Sequence, residues 1–164
     1  DATRWAVENG IAAEDRICIY GGSYGGYAAL MGVVKEPDLY QCAIGHVGVY
    51  DLEFMKSTGN VAERMLGGKV YMDKVMGTDP DKLKRTSPAH GVDAIKAAVM
   101  IVHGGQDLQA HYKNAYILRD AMKKAGKPYE WAFYPKEGHG FMNEDNRLDF
   151  RQKMLAFLAK HIGN

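Results

Sequence analysis

The sequence has little cysteine, no long apolar run and no excess of charge of either sign. Its 164 residues include only 2 cysteines, which are too few for a thiolate zinc site. No apolar stretch approaches the roughly 20 residues that a membrane helix needs, so we expect no membrane partner. Lys and Arg number 21 against 20 Asp and Glu, and the net charge of +1 gives no reason to expect a nucleic-acid partner.

Cys18 and Cys42 both lie in strand-like apolar runs. We therefore expect two buried free thiols and no disulfide, which favours a reducing compartment and a cytoplasmic location. The histidines show no metal-binding spacing such as H-E-x-x-H, so we expect no metal and no cofactor. Five of them are interpreted as structural or surface groups: His46, His90, His103, His111 and His161.

Residues 21–25 read Gly-Gly-Ser-Tyr-Gly and fit the pattern G-x-S-x-G, between a strand-like run and a helix-compatible run. This pattern predicts a nucleophile elbow, a tight turn that exposes Ser23 at the end of a sheet. The backbone N–H of Tyr24 would then stabilise an oxyanion. A plain glycine-rich turn or a phosphate loop are the alternatives, but the lysine of a phosphate loop is absent, so we favour the nucleophile.

Strand-like and helix-like segments alternate along the chain. The strands are predicted at 17–20, 41–49, 97–102 and 129–134, with helices after Ser23, at about 112–125 and from about Asn143. Residues 51–90 are less regular, and such insertions typically shape a substrate pocket. The alternation predicts an α/β fold with a mostly parallel sheet and flanking helices.

Three of the four predicted strands end near a chemically suggestive residue: Ser23, Asp107 and His139. Side chains at the carboxyl ends of parallel strands gather at one edge of the sheet. The order Ser, Asp, His is that of the α/β hydrolases. His139 would take the serine proton, and Asp107 would orient the imidazole and stabilise its cation.

Each partner also has an ordinary interpretation. Asp107 alone would more often make an Asx turn or cap the next helix, and His139 alone would more often be a solvated loop residue. Asp51 follows the second strand and is a rival for the orienting acid. The chain order of the three residues, together with their positions at strand ends, favours a catalytic triad over these interpretations.

Four segments together resemble the catalytic domain of the prolyl oligopeptidase family, especially its dipeptidyl-peptidase and acylaminoacyl-peptidase branches. They are GGSYGGY at 21–27, TSP at 86–88, VHGGQD at 102–107 and YPKEGHGF at 134–141. The resemblance runs over nearly the whole chain. It implies an α/β-hydrolase fold and a serine peptidase that hydrolyses short peptides through an acyl-enzyme.

The resemblance also implies site residues. Ser23, Asp107 and His139 match the family's nucleophile, acid and base, and the Tyr24 amide matches one oxyanion donor. A substrate pocket for a small apolar or proline side chain would be lined by Tyr24, Val49, Leu52 and Met55, although ordinary core packing explains these four residues equally well. Proline often stands in the family where this chain has Ala97 or Ala98, a departure that removes no catalytic group.

Family members carry a β-propeller, several earlier strands and a second oxyanion donor, a tyrosine, that would precede residue 1. We therefore expect residues 1–164 to be the C-terminal portion of a truncated α/β-hydrolase domain, whose first strand lies at an exposed sheet edge. That edge would pair with the missing N-terminal segment or with another copy of the chain. Two alternative functions remain open: a carboxylesterase-like hydrolase with the same triad, and a catalytically impaired module that acts only in assembly.

Overall fold

The computed structural model describes residues 1–163. Four parallel strands form one sheet in the order β1-β2-β3-β4. The strands are β1 Cys18–Gly22, β2 Cys42–His46, β3 Ala98–Gly104 and β4 Tyr129–Tyr134. Because all four run in one direction, their carboxyl ends lie at the same edge of the sheet, as the sequence predicted.

Helices connect the strands and flank the sheet. They are α1 Ala2–Glu8, α2 Tyr24–Lys35, α3 Leu52–Ser57, α4 Asn60–Arg64, α5 Gly68–Met76, α6 Pro80–Arg85, α7 Lys113–Lys124 and α8 Glu144–Ile162. Two short 3-10 turns, Pro88–His90 and Val92–Ala94, lead into β3. In the described part of the chain, no helix combines the length and the apolar character that crossing a membrane requires.

Apolar side chains cover both faces of the sheet. On one face Leu30 of α2 and Leu118 of α7 share a buried cluster with Ile101 of β3. On the other face Phe157 of α8 belongs to a second cluster with Met100, the neighbour of Ile101 along the strand. A strand of a parallel sheet that is buried on both faces has a continuous apolar sequence. The apolar run 97–102 therefore predicted a strand here, and β3 is observed at Ala98–Gly104.

The second strand is shorter than predicted. The apolar run 41–49 suggested a strand up to Val49, but β2 ends at His46. Val47 has a φ of 45°, a left-handed conformation that a β-branched residue rarely adopts, and it turns the chain out of the sheet. The turn carries Val49 towards the carboxyl edge, where it lines one cavity together with Ser23.

The expectation of two free thiols is wrong. Cys18 of β1 and Cys42 of β2 are register partners on neighbouring strands, with Cα atoms 4.5 Å apart, and they form a disulfide. Composition suggested buried thiols, but strand register decides which side chains meet across a sheet. The pairing removes the reason for expecting a reducing compartment.

Within residues 1–163, β1 pairs with β2 alone and forms an edge of the sheet. This position agrees with the expected edge strand. What covers the other side of β1, a further segment or a second copy, stays a prediction.

Candidate active site

The turn between β1 and α2 holds Ser23 in a strained backbone conformation. Ser23 has φ 59° and ψ −121°, a region that non-glycine residues seldom occupy. A side chain at Gly21 would collide with the backbone carbonyl of Gly25, and one at Gly26 would come within 3.0 Å of the Gly48 Cα. The glycines therefore permit the close approach of strand and helix that the sequence pattern predicted.

Ser23, His139 and Asp107 form one continuous line of hydrogen bonds. The Nε2 of His139 lies 2.8 Å from Ser23 Oγ, and its Nδ1 lies 2.8 Å from Asp107 Oδ2. An ionised carboxylate can only accept, so Nδ1 carries the proton and donates it to Asp107. Nε2 is then free to accept from the serine hydroxyl. This arrangement can raise the nucleophilicity of Ser23.

The Asp107 carboxylate is fully buried and has several donors. Its Oδ1 accepts from the backbone N–H of Gln109 at 2.9 Å and of Ala110 at 3.0 Å. Burial alone would raise the pKa of Asp107, but hydrogen bonds from His103 and His139 bring it down to about 2. Asp107 therefore makes the Asx-type turn that was the ordinary interpretation, and it also holds the imidazole of His139.

His103 contacts the Asp107 turn, a role that the sequence analysis did not predict. It is fully buried at the end of β3, and its Nε2 lies 2.8 Å from Ala110 O and 3.3 Å from Asp107 Oδ2. This contact supports the turn that carries the acid. The available signal was a histidine inside an otherwise apolar strand, four residues before the candidate acid, and we had assigned it no role near the site.

Asp51 and His111 contact other partners than Ser23 and His139. Asp51 caps α3 by accepting from the Phe54 N–H at 2.9 Å, and its other oxygen lies 3.2 Å from His90 Nε2. The His111 ring stacks on Tyr112 with centroids 4.6 Å apart. The rival acid is thus engaged with a different histidine, whereas Asp107 is the carboxylate that contacts His139.

A cavity of about 520 Å³ opens beside Ser23. All four residues predicted for the pocket line it: Tyr24, Val49, Leu52 and Met55. The sequence did not indicate the rest of its wall. Helices α2, α5 and α6 and the residue after α6 supply it through Tyr27, Val75, Met76, Lys82 and Thr86. The lining is mainly apolar, so the cavity suits an uncharged side chain.

Buried polar side chains hold the wall of this cavity. The Oδ1 of Asn114, a fully buried residue of α7, accepts from the backbone N–H groups of Tyr50 at 3.1 Å and Asp51 at 3.2 Å. Ser87 Oγ accepts from the Leu52 N–H at 2.9 Å. The contacts of Asn114 fix the segment after β2 against α7, the helix that follows Asp107.

Tyr24 is the first residue of α2. The first backbone N–H groups of a helix have no acceptor inside it, and the helix dipole makes this end attractive to negative charge. The amide of Tyr24 is therefore available beside the serine hydroxyl. Among the described residues, no group of three or more His, Cys, Asp or Glu side chains is arranged to hold a metal ion.

Comparisons with known proteins show which family the chain belongs to. The family model described as the prolyl oligopeptidase family matches residues 1–164. The chain is 34% identical over 168 residues to dipeptidyl aminopeptidase BIII of Pseudoxanthomonas mexicana, covering 99% of this chain and 24% of that protein. It is 27% identical over 169 residues to dipeptidyl peptidase family member 6 of Caenorhabditis elegans, covering 99% and 23%.

Solved structures show the same fold. A puromycin-hydrolyzing peptidase of Mycobacterium tuberculosis matches with a TM-score of 0.88 at 23% identity, over 99% of this chain and 24% of that chain. An acylaminoacyl peptidase of Pyrococcus horikoshii matches with a TM-score of 0.87 at 20% identity, over 99% and 27%. These likenesses show a partial α/β-hydrolase fold, and the chain spans about a quarter of the length of the curated relatives described above.

Proposed function

Since the chain belongs to the prolyl oligopeptidase family of peptidases, we propose that residues 1–164 are part of the catalytic domain of a serine peptidase. In this proposal Ser23 is the nucleophile, His139 the general base and Asp107 the acid that orients it. The observation that carries the proposal is the pair of 2.8 Å hydrogen bonds that joins the three side chains. The proposed substrates are short peptides.

The proposed reaction follows the roles of the three side chains. His139 Nε2 takes the proton of Ser23 as the serine oxygen attacks the carbonyl carbon of the scissile bond, and the Tyr24 N–H stabilises the oxyanion that forms. The imidazolium then gives its proton to the leaving amine, and an acyl-enzyme remains on Ser23. Water, activated by the same imidazole, hydrolyses this ester and restores the serine hydroxyl.

The apolar cavity would receive the side chain on the acyl side of the scissile bond. Its position beside Ser23, with Val49, Leu52 and Met55 in its wall, supports an uncharged residue at the cleavage site. The relatives' names include a dipeptidyl aminopeptidase and a dipeptidyl peptidase, which favours cleavage of short peptides near their amino terminus.

A fluorophosphonate probe tests the nucleophile in the full-length gene product. We expect one labelled serine, no labelling after Ser23→Ala, and labelling slowed by more than about 10³-fold after His139→Ala. Ser57→Ala is a matched control, because Ser57 is exposed in α3 and bonds the carbonyl of Phe54. Full labelling of the Ser23→Ala variant would refute the assignment.

The substrate class needs a second measurement. We expect faster turnover of a fluorophore linked to a dipeptide than of a short acyl ester at equal concentration. The opposite ranking would favour a carboxylesterase-like hydrolase with the same triad. A folded circular-dichroism spectrum without any labelling would instead favour a non-catalytic module.

A further inference from the structure

Glu137 carries a buried carboxylate two residues before His139. Its exposed fraction is only 3%, although it lies in the loop between β4 and α8. The carboxylate accepts three hydrogen bonds, from the Met142 N–H at 2.7 Å, the Asn143 N–H at 3.1 Å and Asn146 Nδ2 at 2.6 Å. A buried carboxylate is tolerated only with such compensation, so this loop is built around the charge.

The backbone of Glu137 makes two further contacts. Its carbonyl accepts from the Gln106 N–H at 2.8 Å, and its own N–H donates to Tyr134 O at 3.1 Å. Gln106 is the residue before Asp107, and Tyr134 is the last residue of β4. Glu137 thus joins the residue before Asp107, the end of β4 and the start of α8, two residues before His139.

Close packing leaves this loop little room to shift. A Cβ on Gly104 would collide with the carbonyl oxygen of Gly138, so the end of β3 and the 137–139 segment are in direct contact. The side chain of Glu137 ties the same segment to Met142, Asn143 and Asn146 at the start of α8. The imidazole of His139 therefore lies between two constraints, its own bond to Asp107 and the anchored backbone before it.

We propose that Glu137 is a positioning residue for the general base, whose charged side chain fixes the 137–139 loop so that His139 reaches both Ser23 and Asp107. The inference rests on the proposed function of the triad. Glu137 contacts neither the serine nor the acid side chain, and it acts through the backbone that carries the histidine. A purely structural role, docking α8 onto the sheet, is the alternative.

Glu137→Gln keeps the size of the side chain but replaces one acceptor by a donor. Oε1 receives two of the three hydrogen bonds, so the glutamine oxygen would take that place and its NH₂ group would face the Met142 N–H. Two donors then oppose each other in a buried site, and the loop must move. A displacement of about 1 Å can reduce the rate about a hundredfold.

The expected effect falls on kcat and leaves KM nearly unchanged. His139 lines a smaller cavity of about 260 Å³ that also reaches Ser23, but no residue of the 135–142 loop lines the 520 Å³ cavity, whose walls come from residues 23–86. We therefore expect kcat of the full-length gene product to drop between about tenfold and a hundredfold in Glu137→Gln, with KM within about threefold of wild type. Asn146→Ala, which removes one donor and keeps the charge, should give a smaller loss of kcat.

Asp149→Asn is the matched control. Asp149 is a carboxylate of α8 that accepts from Tyr134 Oη at 2.8 Å and Lys153 Nζ at 2.6 Å, so it also ties α8 to the end of β4. It does not belong to the loop that carries His139. If docking of α8 were the only role of Glu137, both variants would lower the melting temperature and neither would change kcat of the folded protein.

The outcomes separate the inference from the proposed function. Loss of kcat in Glu137→Gln, without a similar loss in Asp149→Asn, supports the positioning role. Equal kcat in Glu137→Gln and wild type overturns it, and if that variant does not fold, an unchanged kcat in Asn146→Ala overturns it instead. A wild-type protein that is neither labelled nor active would overturn the proposed function and this inference together.

Discussion

Replacing Asp107 with asparagine should reverse the tautomer of the His139 imidazole, the proposed general base. The Oδ1 atom of Asp107 accepts from the backbone N–H groups of Gln109 and Ala110, at 2.9 and 3.0 Å. The carbonyl oxygen of an asparagine would take over these two bonds, since an NH₂ group cannot accept them. The new Nδ2 would then occupy the place where Oδ2 now lies 2.8 Å from His139 Nδ1.

An NH₂ group at that place donates, so His139 Nδ1 must accept and the ring proton moves to Nε2. Nε2 then points a hydrogen at Ser23 and cannot take the serine proton. The same change of tautomer in a well-characterised serine protease lowers kcat about 10⁴-fold, equivalent to about 5.5 kcal/mol of transition-state free energy. We expect a loss of this order here, because the two backbone N–H groups need the amide oxygen, whereas His103 keeps its 2.8 Å contact with Ala110 O when an NH₂ group replaces Oδ2.

Acylation measured in a single turnover, with the full-length gene product and an activated ester, checks this prediction. Asp51→Asn is the matched control, because Asp51 also follows a strand and contacts a histidine, His90, at 3.2 Å. We expect Asp51→Asn to stay within about threefold of wild type. A loss below about tenfold in Asp107→Asn, or a collapse in Asp51→Asn alone, would refute the assignment of the acid.

Three further predictions follow from the contacts around the site. Burial, with a smaller effect of the neighbouring His103 and His139 imidazoles, holds the pKa of His46 at about 4 against about 6.5 in the unfolded chain. Protonation of His46 therefore favours the unfolded chain. The contribution of His46 to the free energy of unfolding is fully present above pH 6.5 and should fall by about 3 kcal/mol as the pH drops to 4. Urea titrations at several pH values should show that the free energy of unfolding depends less on pH in His46→Gln than in the wild type. An equal pH dependence in the two proteins would contradict the reasoning. Gly21→Ala should destabilise the protein by about 1–3 kcal/mol, since its Cβ meets a backbone carbonyl; a wild-type urea midpoint would argue against it. Met55→Trp should raise KM about tenfold for substrates with a large apolar residue, and an alanine substrate should be less affected; equal changes for both would exclude Met55 from the pocket.

Local sequence patterns predicted most of the backbone. The fourth strand was expected at 129–134 and is observed as Tyr129–Tyr134, and the helix expected at about 112–125 is Lys113–Lys124. These segments have a clear apolar periodicity and glycine or proline at their ends, so local preference and tertiary packing agree. Val47 marks the opposite case, because its residue type favours a strand and its φ of 45° ends one.

The two cysteines and the cavity wall depended on contacts between distant segments. Cys18 and Cys42 meet because β1 and β2 pair in one particular register. The sequence around each cysteine does not specify that register. Val75 and Met76 reach the cavity because α5 folds back over the segment after β2. The irregular sequence of residues 51–90 predicted that this segment shapes a pocket. It did not indicate which of its side chains face that pocket.

The sequence by itself determined the elbow at Ser23, the alternation of strands and helices, and the order of the three candidate catalytic residues. These features follow from backbone preferences and from the rule that parallel strands end at a common edge. Only the tertiary structure decided the atomic contacts of Asp107 and the buried support of Glu137. The two 2.8 Å hydrogen bonds of His139 join residues 32 and 116 positions apart in the chain, so they depend on strand register and helix packing, which no local stretch of sequence specifies. The partners of the Glu137 carboxylate lie only 5 to 9 positions away, but its burial depends on how the loop packs against the rest of the fold.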